Sequence, residues 1–295
     1  MTSKPIFTGA ATALITPTTP AGVDYEALGR LIDWQISGGI DALVIAGSTG
    51  EGKTLSITEH REVLRYSAER IAGRVPMIAG TGSNETSVSI SLSRYACEVG
   101  ADALLVVTPY YIKATQNGLV QMYNMIADAV TKPIILYNVP SRTGVTIEPE
   151  TYARLAEHEN IVGIKEANGD ISKIVTTAAA VQGKLDLYSG NDDQTIPILS
   201  LGGKGVISVL SNLLPAQTAE MCRRFFRGDC AGAAELQLKY LPLIHALFSE
   251  VNPIPVKAAM AEMGFCENYL RMPLTPMEED HKRKLLALMR EERLI

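Results

Sequence analysis

The stretch Ile161-Val162-Gly163-Ile164-Lys165-Glu166-Ala167 begins with a short apolar run that ends on a lysine. Four to eight apolar residues between turn signals are typical of a buried parallel strand. The polar residues Asn168-Gly169-Asp170 close this run. The pattern therefore predicts a buried strand with a lysine at its carboxyl end.

Side chains alternate along a strand, so Ile161, Gly163 and Lys165 are predicted to lie on one face. Val162 and Ile164 are predicted on the other. If the first face is the interior of a barrel, the ammonium group of Lys165 lies at the end of an apolar column. Burial disfavours the charged form and lowers the pKa of a lysine, which yields a free amine that can attack a carbonyl. The alternative is a lysine whose ammonium group extends from the strand end to solvent.

Apolar runs of the same kind recur along the chain, with helical stretches between them. The further strands are predicted over residues 11–16, 42–46, 76–79, 103–107, 133–137, 185–188 and 205–209. Strands that alternate with helices pair in parallel, and about eight such units in roughly 220 residues match an α/β fold, the (β/α)8 TIM barrel. A doubly wound sheet is the alternative, and it is disfavoured by the even spacing and by the lack of a strong dinucleotide fingerprint.

The chain after Asn212 is predicted to be helical. Helices are predicted over residues 216–226, 231–248, 256–263 and 278–294. We therefore divide the chain into a barrel over residues 1–227 and a C-terminal helical extension over residues 228–295. Because no low-complexity linker separates them, we expect the extension to pack on the barrel and not to form an independent domain.

The composition of the chain argues against several classes of function. The 295 residues are 46% hydrophobic and 20% charged, with a formal net charge of −5, so nothing indicates a nucleic-acid partner. No apolar run reaches the length of about 18 residues that a membrane span needs, and residues 1–7 lack a signal-peptide pattern. The four cysteines and four histidines are scattered without metal-ligand spacing. We expect reduced thiols, a cytoplasmic location, and no metal or other cofactor.

In a (β/α)8 barrel the active site lies at the carboxyl ends of the strands. The second strand is followed by Gly47-Ser48-Thr49-Gly50-Glu51, whose amides and hydroxyls could hold a carboxylate or phosphate, although an ordinary glycine turn fits the same residues. The longer stretch 47–54 also matches the P-loop pattern letter for letter. A P-loop runs directly into a helix, whereas the capping-box signal here begins only at Ser56. A nucleotide site is therefore kept as an alternative only.

Two strand ends carry a matching pair of reactive side chains. Tyr137 occupies the position on the fifth strand that Lys165 occupies on the sixth. Adjacent strands lie about 4.8 Å apart, so a phenol and an amine at equal height can exchange a proton. Arg142, in the following loop, could clamp a carboxylate or be a surface arginine. Tyr110 and Tyr111, after the fourth strand, could pack at the rim or supply a phenol to the pocket.

Five motifs, in order over nearly the whole chain, resemble those of the dihydrodipicolinate synthase/N-acetylneuraminate lyase family. They are Gly47–Glu51, Tyr137–Gly144, Gly163–Glu166, Ser189-Gly190 and Asn252–Lys257. The resemblance implies a (β/α)8 barrel with a helical extension that forms Schiff bases with pyruvate. It implies an oligomer, at least a dimer and in this family a tetramer.

The resemblance assigns roles residue by residue. Lys165 would form the imine, Tyr137 would donate and accept protons, and Ser48 would relay protons. Tyr111 would join that relay from a neighbouring subunit. The substrate contacts would be Thr49 for the pyruvate carboxylate, Gly190 and Ile207 as pocket lining, and Arg142 for the carboxylate of aspartate semialdehyde.

Departures from the family pattern leave alternatives open. Synthases of the family usually have threonine at the position of Ser48, and lyases more often have serine, so a sibling lyase that cleaves a sialic acid or 2-keto-3-deoxy sugar acid remains an alternative. A catalytically silent barrel that only binds ligands is a further one. The positions matching the lysine-feedback site of the family are Lys53, Ile57, His60, Asn84 and Val88. A cation and two apolar residues suit a lysine effector poorly, so weak or absent feedback is predicted.

Overall fold

The computed structural model describes residues 4–295, so the first three residues of the stretch read for a signal peptide lie outside it. The barrel has eight parallel strands: β1 (Gly9–Ala13), β2 (Ala42–Ile45), β3 (Met77–Gly80), β4 (Ala103–Val107), β5 (Ile134–Asn138), β6 (Ile161–Glu166), β7 (Asp186–Ser189) and β8 (Gly205–Ser208). They close in the order β1-β8-β7-β6-β5-β4-β3-β2. The predicted (β/α)8 barrel is confirmed. A two-stranded ribbon, Thr18–Thr19 with Gly22–Val23, follows β1.

Helices surround the barrel and form the C-terminal extension. They are α1 (Tyr25–Ser37), α2 (Ile57–Ile71), α3 (Thr86–Glu98), α4 (Gln116–Asp128), α5 (Pro140–Thr143), α6 (Pro149–Leu155), α7 (Ile171–Val181), α8 (Thr195–Ser200), α9 (Pro215–Phe226), α10 (Cys230–Leu247), α11 (Ile254–Glu262) and α12 (Glu279–Glu291). The four predicted C-terminal helices are all present. In the extension, α10 packs against α9 and α12. None of the helices over residues 4–295 combines the length and the apolar character needed to cross a bilayer.

The strands are buried on both faces, as expected for a parallel barrel covered by helices. An inner cluster of strand residues, among them Val44, Leu105, Ile135 and Ile207, fills the barrel. A larger outer cluster joins the other face of the strands to the helices. The carboxyl ends of all eight strands consequently meet at one rim, above a packed interior.

The strand that carries the lysine departs from simple alternation. Ile161 pairs with Ile134, but Gly163 pairs with Ile135, so the register shifts by one residue between them. Ile161 and Ile164 therefore both belong to the outer cluster. The prediction that Ile161 shares a face with Lys165 is wrong, because the register shift at this β-bulge places the Ile161 side chain on the opposite face of the strand.

Local signals set several element boundaries correctly. Ser56 caps α2 through a complete capping box with Glu59, and α6 begins at Pro149. The first strand ends at Ala13, three residues earlier than predicted. The amide of Leu14 still donates to the Val44 carbonyl, after which the chain turns away toward Pro17.

Candidate active site

Lys165 and Tyr137 meet at the carboxyl rim of the barrel. They are direct partners in the β5–β6 register. The Nζ atom of Lys165 lies 4.3 Å from the centre of the Tyr137 ring. Lys165 is 5% exposed and Tyr137 is 7% exposed. The ammonium group therefore does not extend to solvent, and the alternative of a strand-end lysine in bulk water is wrong.

The surroundings of Lys165 favour its neutral form. Burial is the main reason that its pKa falls to about 7, and the nearby charge of Arg142 lowers the pKa further. The carboxylate of Asp192 opposes both effects. A substantial fraction of this amine is consequently unprotonated near neutral pH, which nucleophilic attack on a carbonyl requires.

Tyr137 shows the opposite response. Burial raises the pKa of its phenol, whereas Arg142 and the facing hydroxyl of Ser48 oppose that increase. The phenol therefore keeps its proton at neutral pH, beside an amine that is partly unprotonated. A proton donor thus lies next to a nucleophile that can attack a carbonyl carbon.

The turn over residues 47–54 does not have the form of a P-loop. The amide of Gly52 donates to the Gly47 carbonyl at 3.1 Å, and α2 begins only at Ile57. A Cβ atom on Gly50 would lie 2.9 Å from the Leu14 carbonyl oxygen, and one on Gly52 would lie 2.1 Å from that of Ala46. These glycines are explained by backbone packing, and the expected late start of the helix is confirmed.

The hydroxyls of this turn differ in their surroundings. Ser48 lines the main cavity at the rim. Thr49 is buried, and its Oγ1 accepts a hydrogen bond of 2.9 Å from Nδ2 of Asn252. Because the Thr49 oxygen accepts from Asn252, its hydroxyl proton remains available for an anionic ligand.

Arg142 projects from the short helix α5 into the same cavity. Its Nη2 donates to the backbone carbonyl of Asn252 at 3.0 Å. Within residues 4–295 no carboxylate forms an ion pair with this guanidinium group. The remaining donors can therefore bind a carboxylate of a ligand.

The cavity above Tyr137 has a volume of about 380 Å³. Its polar lining includes Ser48, Lys53, Tyr110, Arg142 and Asn252. It is bordered by residues from β2 to β5 and by the extension, which reaches over it. A cavity of this size holds a small metabolite with a few fixed polar contacts.

The other predicted site residues lie around this centre. The Gly190 amide donates to the Glu166 carbonyl at 2.7 Å, and a Cβ atom on Gly190 would lie 2.7 Å from that of Ala167. Ile207 is fully buried inside the barrel. Tyr111 differs, because it is 89% exposed and does not line the cavity of its own chain, where Tyr110 is found instead.

Two buried carboxyl groups near the lysine were not predicted. Asp192 accepts hydrogen bonds from the amides of Val209 and Leu210, at 2.9 and 3.1 Å, while lying close enough to Lys165 to affect its pKa. The position of Asp192 just after β7, at the carboxyl rim of the barrel, could have marked it as a site residue. Glu166 follows Lys165 directly, points to the other side of the strand and binds Asn138. Burial raises the pKa of Glu166 to about 7.

Lys53 also lines the cavity. Its Nζ atom contacts the Gly82 carbonyl, and burial lowers its pKa to about 8. His60 is fixed between the carbonyls of Gly52 and Gly80, at 3.2 and 2.9 Å. Burial, with the Lys53 charge, lowers the His60 pKa to about 4, so this imidazole is neutral at pH 7. Elsewhere too, residues 4–295 bring no three His, Cys, Asp or Glu side chains together as a metal site would.

Comparison with known proteins agrees with this geometry. The model of the dihydrodipicolinate synthetase family matches residues 6–292. The chain belongs to this family. A 4-hydroxy-tetrahydrodipicolinate synthase of Lachnoclostridium phytofermentans is 52% identical over 292 residues, which cover 98% of this chain and 99% of that protein. The synthase of Clostridium perfringens ATCC 13124 is 51% identical over 276 residues, 94% of this chain and 95% of that protein.

Solved structures of the family superpose closely. The dihydrodipicolinate synthase of Thermotoga maritima gives a TM-score of 0.96 at 43% identity, over 99% of this chain and all of that one. The chloride-inhibited synthase of Acinetobacter baumannii, solved with pyruvate, gives 0.95 at 43% identity, over 98% and 99% of the two chains. The solved structures thus share both the barrel and the helices that follow it with this chain.

Proposed function

We propose that this protein condenses pyruvate with aspartate 4-semialdehyde to give 4-hydroxy-tetrahydrodipicolinate, a step toward diaminopimelate and lysine. The protein is a Schiff-base-forming lyase. The observation that carries this proposal is the buried Lys165 amine, whose pKa is about 7, at 4.3 Å from the ring of Tyr137. Its full-length relatives are synthases of this reaction, and one of them was solved with pyruvate.

The first step is imine formation. The neutral Nζ of Lys165 attacks the keto carbon of pyruvate, and the phenol of Tyr137 supplies a proton to the developing alkoxide. The carbinolamine then loses water, and the nitrogen becomes an iminium. Ser48, which faces Tyr137, returns the proton to it in our assignment.

The second step forms the carbon–carbon bond. The iminium draws electrons from the methyl group of pyruvate, which loses a proton and becomes an enamine. The enamine carbon attacks the aldehyde of the semialdehyde, whose oxygen takes up a proton. The amino group of the same substrate then attacks the iminium carbon, closes the ring and releases Lys165.

Two anion sites orient the substrates. Thr49 donates its free hydroxyl proton to the carboxylate of pyruvate, and Gly190 and Ile207 shape the pocket around it. Arg142 binds the carboxylate of the semialdehyde with the donors that Asn252 leaves free. Two such sites fit a reaction that joins two carboxylates better than one that cleaves a sugar acid.

We further propose a homo-oligomer in the cytoplasm, at least a dimer and in the family pattern a tetramer. The support for an oligomer is Tyr111, which is 89% exposed beside the also exposed Ile112 and joins the proton relay only if it enters a neighbouring subunit. The support for the location is that the four cysteines are free thiols, typical of a reducing compartment.

Borohydride trapping tests the proposal. Incubation with pyruvate and borohydride is expected to add one reduced pyruvate to the peptide that contains Lys165. A protein that forms no adduct, and that ATP protects against unfolding, would be the P-loop alternative. A protein that forms no adduct and is not protected would be a silent barrel. Consumption of pyruvate with aspartate semialdehyde, set against release of pyruvate from sugar acids, separates the synthase from the sibling lyase.

A further inference from the structure

The hydroxyl turn, defined here as residues 47–52, is held in place from distant parts of the chain. The Thr16 hydroxyl donates to the Gly50 carbonyl at 2.7 Å. His60 contacts the Gly52 carbonyl at 3.2 Å. Between these two contacts, the side chain of Glu51 receives a hydrogen bond from Lys257 in α11 of the extension. The mechanism given above uses none of these contacts.

The pair of Glu51 and Lys257 is deeply buried. Glu51 is 3% exposed and Lys257 is not exposed at all. The ammonium group also donates to the Thr18 hydroxyl at 2.7 Å, and Thr18 in turn donates to the Tyr269 carbonyl. A buried ion pair adds little stability beyond an apolar pair of similar volume, because both charges lose their hydration. Stability alone therefore does not explain why two charges are placed here.

The ion pair holds a residue with an unusual backbone conformation. Glu51 has a φ of +52°, in the left-handed region that side-chain-bearing residues rarely adopt. Its amide donates to the Ser48 carbonyl at 3.2 Å and closes the turn that carries Ser48 and Thr49. A strained residue keeps this conformation only when its surroundings fix it, and here Lys257 fixes its side chain.

The same segment of the extension reaches the turn a second time. Asn252, five residues before Lys257, donates from Nδ2 to Thr49 at 2.9 Å. That bond occupies the Thr49 oxygen and leaves the hydroxyl proton for a ligand. The segment 252–257 therefore binds two side chains of the turn, that of Thr49 and that of Glu51.

We propose that Glu51 and Lys257 are positioning residues that hold Thr49 in place to bind the carboxylate of pyruvate. This inference rests on the proposed function and adds to it a role for the helical extension. Lys257 does not line the cavity; Glu51 does, but its Oε1 atom binds Lys257 and its Oε2 atom is buried. Their pair fixes the turn, and the turn sets the height and direction of the Thr49 hydroxyl.

The experiment separates positioning from stability. Lys257→Met alone leaves the Glu51 carboxylate buried without its cation and is expected to lower the melting temperature. The double variant Glu51→Met/Lys257→Met replaces the pair by two flexible apolar side chains and is expected to melt near the wild type. Lys239→Met is the matched control, because Lys239 forms an exposed ion pair with Glu292 in the same extension.

The readout is the pyruvate concentration that half-saturates borohydride trapping, together with the KM values for both substrates. The double variant is expected to need about tenfold more pyruvate, the effect of losing about one hydrogen bond to a charged group. Its KM for the semialdehyde is expected to stay within about twofold, since Arg142 lies on α5 and bonds the Asn252 carbonyl, which the variant keeps. Lys239→Met is expected to match the wild type in every measurement.

Wild-type half-saturation in a folded double variant would overturn the proposal and leave the pair a structural role only. If the double variant does not fold, Glu51→Leu decides by the same titration, because it removes the acceptor that binds Lys257; unchanged half-saturation then overturns the proposal. Failure of the proposed function would give a different result: pyruvate and borohydride would not label even the wild-type protein.

Discussion

The Nζ atom of Lys165 lies 4.3 Å from the centre of the Tyr137 ring, and neither side chain is more than 7% exposed. The two residues are opposite one another on adjacent parallel strands. Their distance is fixed by backbone hydrogen bonds and does not depend on a mobile loop.

Imine formation is expected to depend on pH through Lys165. Its pKa is about 7, and only the neutral amine attacks pyruvate. The trapping rate should therefore rise about tenfold from pH 6 to pH 8 and level off above that. Single-turnover trapping across this range measures it. A profile whose midpoint lies near the lysine value of 10.5 would contradict the desolvated environment described here.

The same shift has a consequence for stability. The folded protein releases the Lys165 proton near pH 7, whereas the unfolded chain keeps it to about 10.5. Between these values the unfolded state binds more protons, so this group's destabilising effect is full below pH 7 and declines as the pH rises. Lys165→Met is expected to raise the melting temperature by several degrees at pH 6 and by little at pH 10. Equal gains at both values would show that the lysine is not desolvated.

Tyr137→Phe is expected to reduce kcat by about 10²- to 10⁴-fold, the usual contribution of a positioned proton donor. The packing of the ring is kept, so the melting temperature should change little. Steady-state rates and a thermal melt measure the two effects. Tyr95→Phe, which changes a phenol outside the cavity, serves as the control and should leave kcat unchanged.

Arg142→Ala is expected to raise the KM for aspartate semialdehyde by about ten- to a hundredfold, since an ionic hydrogen-bond pair with its carboxylate is lost. The pyruvate adduct on Lys165 should still form. Arg154→Ala, which removes an exposed arginine bonded to Asn117, is the matched control. Loss of both the adduct and the semialdehyde step to the same extent would contradict the role assigned to Arg142.

Tyr111 can be tested by complementation. Tyr111→Phe and Lys165→Met are each expected to be nearly inactive as pure oligomers. In mixed oligomers, a chain with Lys165 intact can receive Tyr111 from its neighbour, so part of the wild-type activity should return. Mixtures refolded together and assayed at a range of ratios measure this. Absence of any recovery, in mixtures shown by mass to contain both chains, would place Tyr111 in its own subunit's site.

Lysine is expected to inhibit weakly or not at all. The position that matches one feedback-site residue is Ile57, 47% exposed at the start of α2, and another is Val88 in α3. Neither apolar side chain can bind an ammonium group, and the charge of Lys53, at a third matching position, would repel one. An inhibition titration with both substrates near their KM values tests this. Half-maximal inhibition at submillimolar lysine would show the prediction to be wrong.

The family motifs and the regular spacing of the strands could be recognised in the sequence, because each depends only on residues that are close together in the chain. Eight apolar runs predicted the barrel, the capping box at Ser56 placed α2, and that late helix start argued against a P-loop. Tyr137 and Lys165 were predicted to be neighbours because they occupy equivalent positions at the ends of adjacent strands, and parallel strands keep a fixed register. Alternation failed at Ile161, because a bulge depends on how the neighbouring strand pairs.

Reading the chain residue by residue is enough to name the chemical groups at the rim of the barrel: an amine, a phenol, hydroxyls and a guanidinium. Their protonation states depend on the three-dimensional arrangement of the chain. Lys165 has a pKa near 7 because burial and the Arg142 charge act on it together, against Asp192, and these groups lie far apart in the chain. Likewise, Lys257 meets Glu51 across 206 positions. Desolvation and Coulomb interactions depend on distances in space, which spacing along the chain does not specify.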